Sequence, residues 1–254
     1  MNRDETLQFV RKYVKSESLV RHMLSVEAAM RFYARKLGED EELWGLTGLL
    51  HDFDWEIHPN SEEHPLAGAP ILREAGVSEE MITAILSHAE LDEFPRDTLL
   101  KRALFACDEI TGLITAVALV RPSRSLMDLE ASSVRKKWKD KAFAAGTDRG
   151  LMELGAREFG VELWEHVSNV IAAMRGIADE LDLVDLVAGP LGRDVAGDRV
   201  GQLVVGAAAP QQAAEIHLVE GEEAVAQAAL GGQADPVTGA AEGVGDAGDH
   251  PDVA

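Results

Sequence analysis

Apolar residues recur every three or four positions through residues 1–182, and no segment there alternates apolar and polar residues as a half-buried strand does. This periodicity predicts an all-α fold, a compact multi-helix bundle. The predicted helices cover about residues 4–15, 18–37, 40–51, 64–75, 78–90, 97–120, 125–140, 148–158 and 160–181. Asp40 and Ser78 stand at N-cap positions and Gly76 at a C′ position, which supports three of these boundaries.

The composition changes abruptly after Asp182. Every Phe, Trp and Tyr lies before this residue, and the rest of the chain is rich in Ala, Gly, Val and acidic residues. The first 182 residues contain 22 basic and 33 acidic side chains, whereas the remaining residues contain 2 and 12. A low-complexity segment without aromatic anchors cannot offset the entropy of ordering. We therefore expect a folded domain over residues 1–182 and a disordered acidic tail over residues 183–254.

The net charge of −21 argues against a general nucleic-acid partner or an anionic membrane, because both would be repelled at long range. A small phosphorylated substrate is compatible with this charge. The single cysteine, Cys107, cannot form an intrachain disulfide, and the charged first residues lack the apolar run of a signal peptide. A cytoplasmic protein is expected. The stretch 103–120 has the length of a membrane span, but Asp108 and Glu109 inside it indicate a buried core helix.

Four metal-capable side chains fall on apolar helical faces. His51 and Asp52 close the apolar run 43–50, and His22 has apolar neighbours three, four and seven positions away. Asp108 lies in a helix with few other polar groups, where an unpaired carboxylate would be costly. A divalent metal would satisfy all four groups, since mixed imidazole and carboxylate ligands suit Mn, Fe, Co, Ni or Zn better than Ca. The alternative is that the histidines are hydrogen-bonded core residues and that Asp108 caps a neighbouring helix.

The order of these residues along successive helices resembles the HD superfamily of metal-dependent phosphohydrolases. The segment His64-Pro65-Leu66-Ala67-Gly68-Ala69 and the later pair Ser87-His88 resemble the extra histidine positions of HD proteins that hold two metals. The resemblance covers about residues 16–120, and more loosely the remaining helices to residue 182.

The resemblance implies ligands for two metal ions, with the residue that matches Asp52 as the bridge. The first ion would take His22, His51, Asp52 and Asp108, and the second would take Asp52, His64 and His88. Many two-metal relatives have another histidine directly after the position of His88, where this chain has Ala89, so a single-metal enzyme stays open. The expected cofactor is one or two divalent ions of Mn, Fe, Co, Ni, Zn or Mg. The Gly-Tyr-Pro signature of cyclic-dinucleotide phosphodiesterases is absent, which disfavours that substrate.

The chemistry of such a site points to water as the nucleophile. A divalent ion lowers the pKa of bound water from about 16 towards 7. The sequence contains neither a Walker-type phosphate loop nor a Gly-x-Ser-x-Gly elbow, which would support other mechanisms. We expect a metal-dependent phosphohydrolase, a phosphomonoesterase or phosphodiesterase, that cleaves a nucleotide or other small phosphate ester. An HD-fold di-iron oxygenase and a non-catalytic HD sensor domain are the alternatives.

A general acid should stand near the leaving oxygen of the substrate. Glu56, four residues beyond Asp52, is predicted for this role, so Asp52 and Glu56 are the predicted catalytic residues. Asp54, His58 and Glu90 are the competing candidates, because they also lie near the ligands in the sequence.

Cations concentrate in one short segment of an otherwise acidic domain. Within 21 residues lie Arg121, Arg124, Arg135, Lys136, Lys137, Lys139 and Lys141, opposed by Asp128, Glu130 and Asp140. Because the segment follows the Asp108 helix, it is predicted to fold over the metal cavity. Arg135, Lys136 and Lys137 are then predicted to bind a substrate phosphate through charge-assisted hydrogen bonds. A solvated helix face is the alternative interpretation, and Trp138 is predicted either to stack on a base or to pack into the core.

Overall fold

The structure, a computed structural model, describes residues 1–89, 91–140 and 142–184. The described residues form α-helices and no strand: α1 (Arg3–Tyr13), α2 (Glu17–Leu37), α3 (Glu41–Leu50), α4 (Gly68–Glu74), α5 (Glu79–Leu86), α6 (Leu99–Leu119), α7 (Ala131–Trp138), α8 (Arg149–Phe159) and α9 (Leu163–Arg175). The predicted all-α fold is confirmed, and each predicted helix corresponds to one observed helix. The tail predicted to be disordered lies outside the described residues, apart from Leu183 and Val184.

Capping residues set several helix ends as predicted. The side chains of Asp40 and Ser78 each accept a hydrogen bond from the backbone N–H three residues further on. These bonds satisfy donors that the first turn of a helix leaves unpaired. Gly76, just after α4, has a φ angle of +79°, a left-handed conformation that favours glycine.

Four predicted boundaries are wrong by four residues or more. Helix α5 ends at Leu86 and not at residue 90. Helix α4 begins four residues later than predicted, because residues 61–67 form successive turns. Helix α7 begins six residues later, because Arg175 donates hydrogen bonds to the carbonyls of Leu126 and Leu129 and holds the preceding segment in an irregular loop. Helix α9 ends at Arg175, and the chain beyond it continues in tighter turns whose bonds mostly span three residues.

Helix α6 is the central element of the bundle. All residues from Ala103 to Ile114 are buried, and the helix packs against α2, α8 and α9. The prediction of a buried core helix in this stretch is confirmed. Among the described helices, none has the combination of length and apolar character that a bilayer crossing requires.

Helices α2 and α3 pack antiparallel and very close together. At Gly48, a Cβ atom would lie 3.1 Å from the backbone N and Cα atoms of Glu27, so a side chain there would have to push the two helix backbones apart. This close approach sets the carboxyl end of α3 beside the second turn of α2. His51 and His22 therefore face each other across the helix pair.

A buried hydrogen-bond chain joins α2, α9 and α6. The Nε2–H of His166 donates to the carbonyl of Ala106 at 2.8 Å, which leaves Nδ1 to accept the Tyr33 hydroxyl proton at 2.6 Å. Burial lowers the pKa of His166 to about 4, so the imidazole is neutral at physiological pH. These hydrogen bonds hold α6 at Ala106, two residues before Asp108.

Candidate metal centre

Four of the predicted ligands converge on one point between α2, α3 and α6. The Nε2 atom of His22 lies 3.2 Å from Nε2 of His51 and 3.0 Å from Oδ1 of Asp108. Oδ2 of Asp52 lies 3.5 Å from His22 Nε2 and 3.4 Å from His51 Nε2. All four side chains are buried.

A second group of ligands lies on the other side of Asp52. Oδ1 of this carboxylate is 3.3 Å from Nε2 of His64 and 3.5 Å from Nε2 of His88. The two imidazole nitrogens are 3.2 Å apart. The two oxygens of Asp52 therefore face different groups, as a bridging carboxylate requires.

Hydrogen bonds orient all four histidines in the same way. His51 and His88 donate their Nδ1–H groups to the carbonyls of Gly48 and Ile85, and His64 donates its own to a carboxylate oxygen of Asp54 at 2.8 Å. These bonds fix Nδ1 as a protonated nitrogen, so each imidazole in its neutral form presents an unprotonated Nε2 to the cluster.

Thr111 completes this pattern at His22. Its hydroxyl donates to the backbone carbonyl of Asp108 at 2.8 Å, so its oxygen is left to accept from Nδ1–H of His22 at 3.3 Å. Hydrogen bonds of this kind commonly orient metal-bound histidines. The four Nε2 atoms are thus presented as ligands.

The arrangement fits a pair of divalent metal ions. Bonds of about 2.1 Å from a metal to nitrogen or oxygen put neighbouring ligand atoms about 3.0–3.4 Å apart, and the distances above lie close to this range. Asp52 Oδ2 and Asp108 Oδ1 are buried without a hydrogen-bond partner among the described residues. Burial alone would raise the pKa of both carboxyls, but the facing histidines hold both pKa values below the ordinary range. The cluster therefore contains ionised carboxylates, whose charge either protonated histidines or a bound cation would balance.

Comparison with known proteins identifies the helices that carry this cluster. The family model described as the HD domain matches residues 19–113, which span all the ligands.

Residues 19–113 form an HD domain. The resemblance inferred from the sequence is thereby confirmed. The predicted ligands come from α2, from the end of α3, from the turns around α4 and α5, and from α6.

Several relatives of the chain are named Ribonuclease Y. The protein from Nitratidesulfovibrio vulgaris is 34% identical over 98 residues, which are 38% of this chain and 18% of the relative. The protein from Oleidesulfovibrio alaskensis is 27% identical over 143 residues, or 55% and 27% of the two chains. The protein from Rhodopirellula baltica is 28% identical over 139 residues, or 54% and 26%. The chain thus matches about a quarter or less of these relatives, and no solved structure matches it significantly.

The HD domain also contains a buried carboxyl to which the sequence analysis assigned no functional role. Glu109 is 5% exposed, and neither of its oxygens has a hydrogen-bond partner among the described residues. Burial, followed by the charges of Asp108, Asp148 and Asp52, raises the pKa of Glu109 to about 9. Its carboxyl is therefore protonated at neutral pH. In the sequence, the sign of this site was the position of Glu109 directly after Asp108. Apolar spacing alone could not show which face of α6 borders the metal cluster.

The predicted general acid, Glu56, has a different environment from the ligands. Its two carboxylate oxygens accept hydrogen bonds from the backbone N–H groups of Lys15 and Ser16, at 2.9 and 2.7 Å. The described contacts of Glu56 thus join it to the segment that precedes α2, and none joins it to the metal ligands. Two of the competing candidates for the general acid are His58 and Glu90. The Nδ1 atom of His58 lies 3.8 Å from Oε1 of Glu63, and Glu90 lies outside the described residues.

The predicted phosphate ligands lie on α7, which packs against α6 and α9. The guanidinium of Arg135 stacks over the ring of Trp164, 5.0 Å from its centre, and Lys137 lies over Phe143 at 4.9 Å. Lys136 is exposed. None of these three cations has a carboxylate partner among the described residues, in contrast to Arg121, which pairs with Asp128. Trp138 is half-buried against Trp164, with ring centres 5.4 Å apart, so it packs between helices as the structural alternative predicted.

Proposed function

We propose that this chain is a metal-dependent phosphohydrolase that cleaves a nucleotide or another small phosphate ester. One observation carries the proposal: the two oxygens of Asp52 face two separate groups of ligands, whose atoms are spaced for divalent ions. Paired divalent ions lower the pKa of a water ligand and stabilise the attacking and leaving oxygens of a phosphoryl transfer. The HD family and the ribonuclease relatives support the same class of reaction.

The protein's own residues supply the rigid frame for this chemistry. His22, His51, Asp52 and Asp108 would hold the first ion, and Asp52, His64 and His88 the second. Each histidine is held by its Nδ1 hydrogen bond, so the ligand atoms do not have to reorganise when an ion binds. None of these side chains acts as a nucleophile, because all are directed at the metal positions.

The cations of α7 are the proposed contacts for the substrate phosphate. Lys136 and Lys137 have no carboxylate partner in the part of the chain that the structure describes, although acidic residues outnumber basic ones in this domain. An unpaired ammonium group is available for a charge-assisted hydrogen bond to a phosphate oxygen. Arg135 and Lys137 are weaker candidates than the exposed Lys136, because they also lie over the rings of Trp164 and Phe143.

The cleaved bond is proposed to be a phosphodiester or a phosphomonoester. The name of the relatives, Ribonuclease Y, favours a diester substrate, whereas the acidic surface favours a short substrate over a long nucleic acid. Bis-nitrophenyl phosphate and nitrophenyl phosphate separate the two activities, and nucleotides and a short oligoribonucleotide extend the screen.

The test combines metal analysis with this substrate screen. Protein is purified with and without oxygen, its metals are counted, and hydrolysis is measured with Mn²⁺, Fe²⁺, Co²⁺, Ni²⁺, Zn²⁺ and Mg²⁺. We expect metal-dependent hydrolysis that Asp52→Ala and His51→Ala abolish and that the exposed control Asp92→Ala retains. If the two ligand variants keep both metal and activity, the proposal is wrong. Oxygen consumption by an iron-loaded protein without phosphate hydrolysis would favour the oxygenase alternative.

A further inference from the structure

We propose that Asp54 is a positioning residue for the second metal ion, and that Gly68 leaves the space that this carboxylate occupies. The inference rests on the proposed two-metal site. It concerns how one proposed ligand, His64, is held. It also explains how a second ion can bind although this chain has Ala89 where many two-metal relatives have a histidine.

Asp54 lies beneath His64 and is completely buried. Its Oδ1 atom accepts the Nδ1–H of His64 at 2.8 Å, while Oδ2 has no hydrogen-bond partner among the described residues. The indole of Trp55 packs edge-on against the same imidazole, with ring centres 5.0 Å apart. His64 is thus fixed on two sides, and its Nε2 is directed at Asp52 and His88.

His64 differs from the other histidine ligands in its partner. Among the four described histidine ligands, His51 and His88 donate to backbone carbonyls and His22 to a threonine hydroxyl, whereas His64 donates to a carboxylate. A carboxylate partner raises the basicity of a metal-bound imidazole and fixes its orientation. A stronger His64 ligand would offset the lack of a histidine at position 89.

Gly68 lies against the other side of the Asp54 carboxylate. A Cβ atom at position 68 would be 2.6 Å from Oδ2 and 2.7 Å from Cγ of Asp54, so any larger residue must displace this carboxylate. Replacing a helical glycine by alanine ordinarily stabilises a helix. The added methyl group would also lie 3.0 Å from Cε1 of Phe53, so a loss of metal binding in Gly68→Ala is assigned to the carboxylate where Asp54→Ala shows the same loss.

Manganese titration of metal-free protein tests the inference. Equilibrium dialysis gives the number of equivalents bound and the affinity of each, and electron paramagnetic resonance distinguishes a coupled Mn²⁺ pair from a single ion. The variants are Asp54→Ala, Asp54→Asn and Gly68→Ala. Gly146→Ala is the matched control, because a Cβ atom there meets nothing within 4 Å and the backbone is not left-handed.

We expect the wild-type chain to bind two equivalents and to show the coupled signal. Asp54→Ala should weaken the second equivalent about 10- to 100-fold and leave the first unchanged. Asp54→Asn, which keeps an acceptor but loses the charge, should lie between Asp54→Ala and wild type. Gly68→Ala should resemble Asp54→Ala, and Gly146→Ala should resemble wild type.

Other outcomes overturn the inference in distinguishable ways. If the variants bind two ions as tightly as wild type, or lose both equally while thermal unfolding is unchanged, Asp54 does not position the second ion. If wild type binds a single ion, the second site and this inference fail together, while a one-metal hydrolase stands. If wild type binds no metal, the proposed function itself fails. Should Asp54→Ala not fold, Asp54→Asn and Gly68→Ala decide the question.

Discussion

His22 and His51 face each other through their Nε2 atoms, which lie 3.2 Å apart, while both Nδ1 atoms donate hydrogen bonds away from the cluster. Two neutral imidazoles in this arrangement would point lone pairs at each other, which is repulsive unless a proton or a metal ion lies between them. Burial alone would lower the pKa of His51, but the charges of Asp52 and Asp108 raise it well above its ordinary value. This arrangement is expected at one edge of a metal site. Variants that lack single ligands should therefore differ in the number of ions that they bind.

Substitution of single ligands should remove different numbers of ions. Asp52→Ala should lose both ions, because each ligand group contains one of its oxygens, whereas His22→Ala and His88→Ala should each lose one. Elemental analysis after dialysis against a trace of chelator measures the result. Equal metal loss in all three variants would mean that Asp52 does not bridge two sites.

Removal of the Glu56 carboxylate should affect stability more than chemistry. Glu56→Ala breaks the bonds to the Lys15 and Ser16 N–H groups, and hydrogen bonds to a charged group contribute about 1.5–3 kcal/mol in favourable cases. We expect the free energy of unfolding to fall by about 1–2 kcal/mol, because Glu56 is partly exposed. Denaturant unfolding and kcat are measured together, with Glu56→Gln as the control. A large loss of kcat at unchanged stability would instead support the predicted general-acid role.

The α7 lysines should act on substrate binding. Lys136→Ala and Lys137→Ala should each raise KM about 10-fold with little change in kcat, since a charge-assisted hydrogen bond contributes more than 1 kcal/mol. Lys12→Ala, a lysine on α1, is the control for loss of one positive charge. Steady-state kinetics at two salt concentrations checks the result, and unchanged KM values would show that α7 does not contact the phosphate.

The buried histidine on α9 should make the fold sensitive to acid. The pKa of His166 is about 4 in the folded chain and about 6.5 when unfolded, so the unfolded state takes up the proton first. The stability that this group contributes is complete above pH 6.5 and is lost as the pH falls towards 4, by about 3 kcal/mol. His166→Gln keeps a donor for the Ala106 carbonyl but does not titrate, so its unfolding free energy should fall less between pH 7 and 4.5. Parallel pH curves for the two proteins would contradict this assignment.

Deletion of residues 186–254 should leave the melting temperature and the metal content unchanged. This segment contains no aromatic side chain, and every proposed ligand precedes residue 109. Calorimetry and elemental analysis of the shortened and full chains compare the two quantities. A decrease in either would mean that the predicted domain boundary near residue 182 is wrong.

The helices were predictable because one apolar stripe repeats along the chain at helical spacing. The clustering of the candidate ligands was predictable in part because histidine and aspartate on such stripes need partners, and in part because of their family-like order. The hydrogen bonds that orient the histidines were not predictable. Thr111 contacts His22, which lies 89 positions away, and Asp54 contacts His64, which lies 10 positions away, and no local sequence pattern indicates such contacts. The start of α7 was missed for the same reason, since Arg175 binds that loop from the far end of the domain.

The proposed sharing of the Asp52 carboxylate by two ions has a thermodynamic consequence. A carboxylate whose charge is divided between two cations attracts each less strongly than it would attract one alone, so occupancy of either position lowers the affinity of the other. Linkage requires the two reductions to be equal. The centre should therefore fill in two steps, with negative cooperativity, and the concentration of free metal would decide whether the protein carries one ion or two.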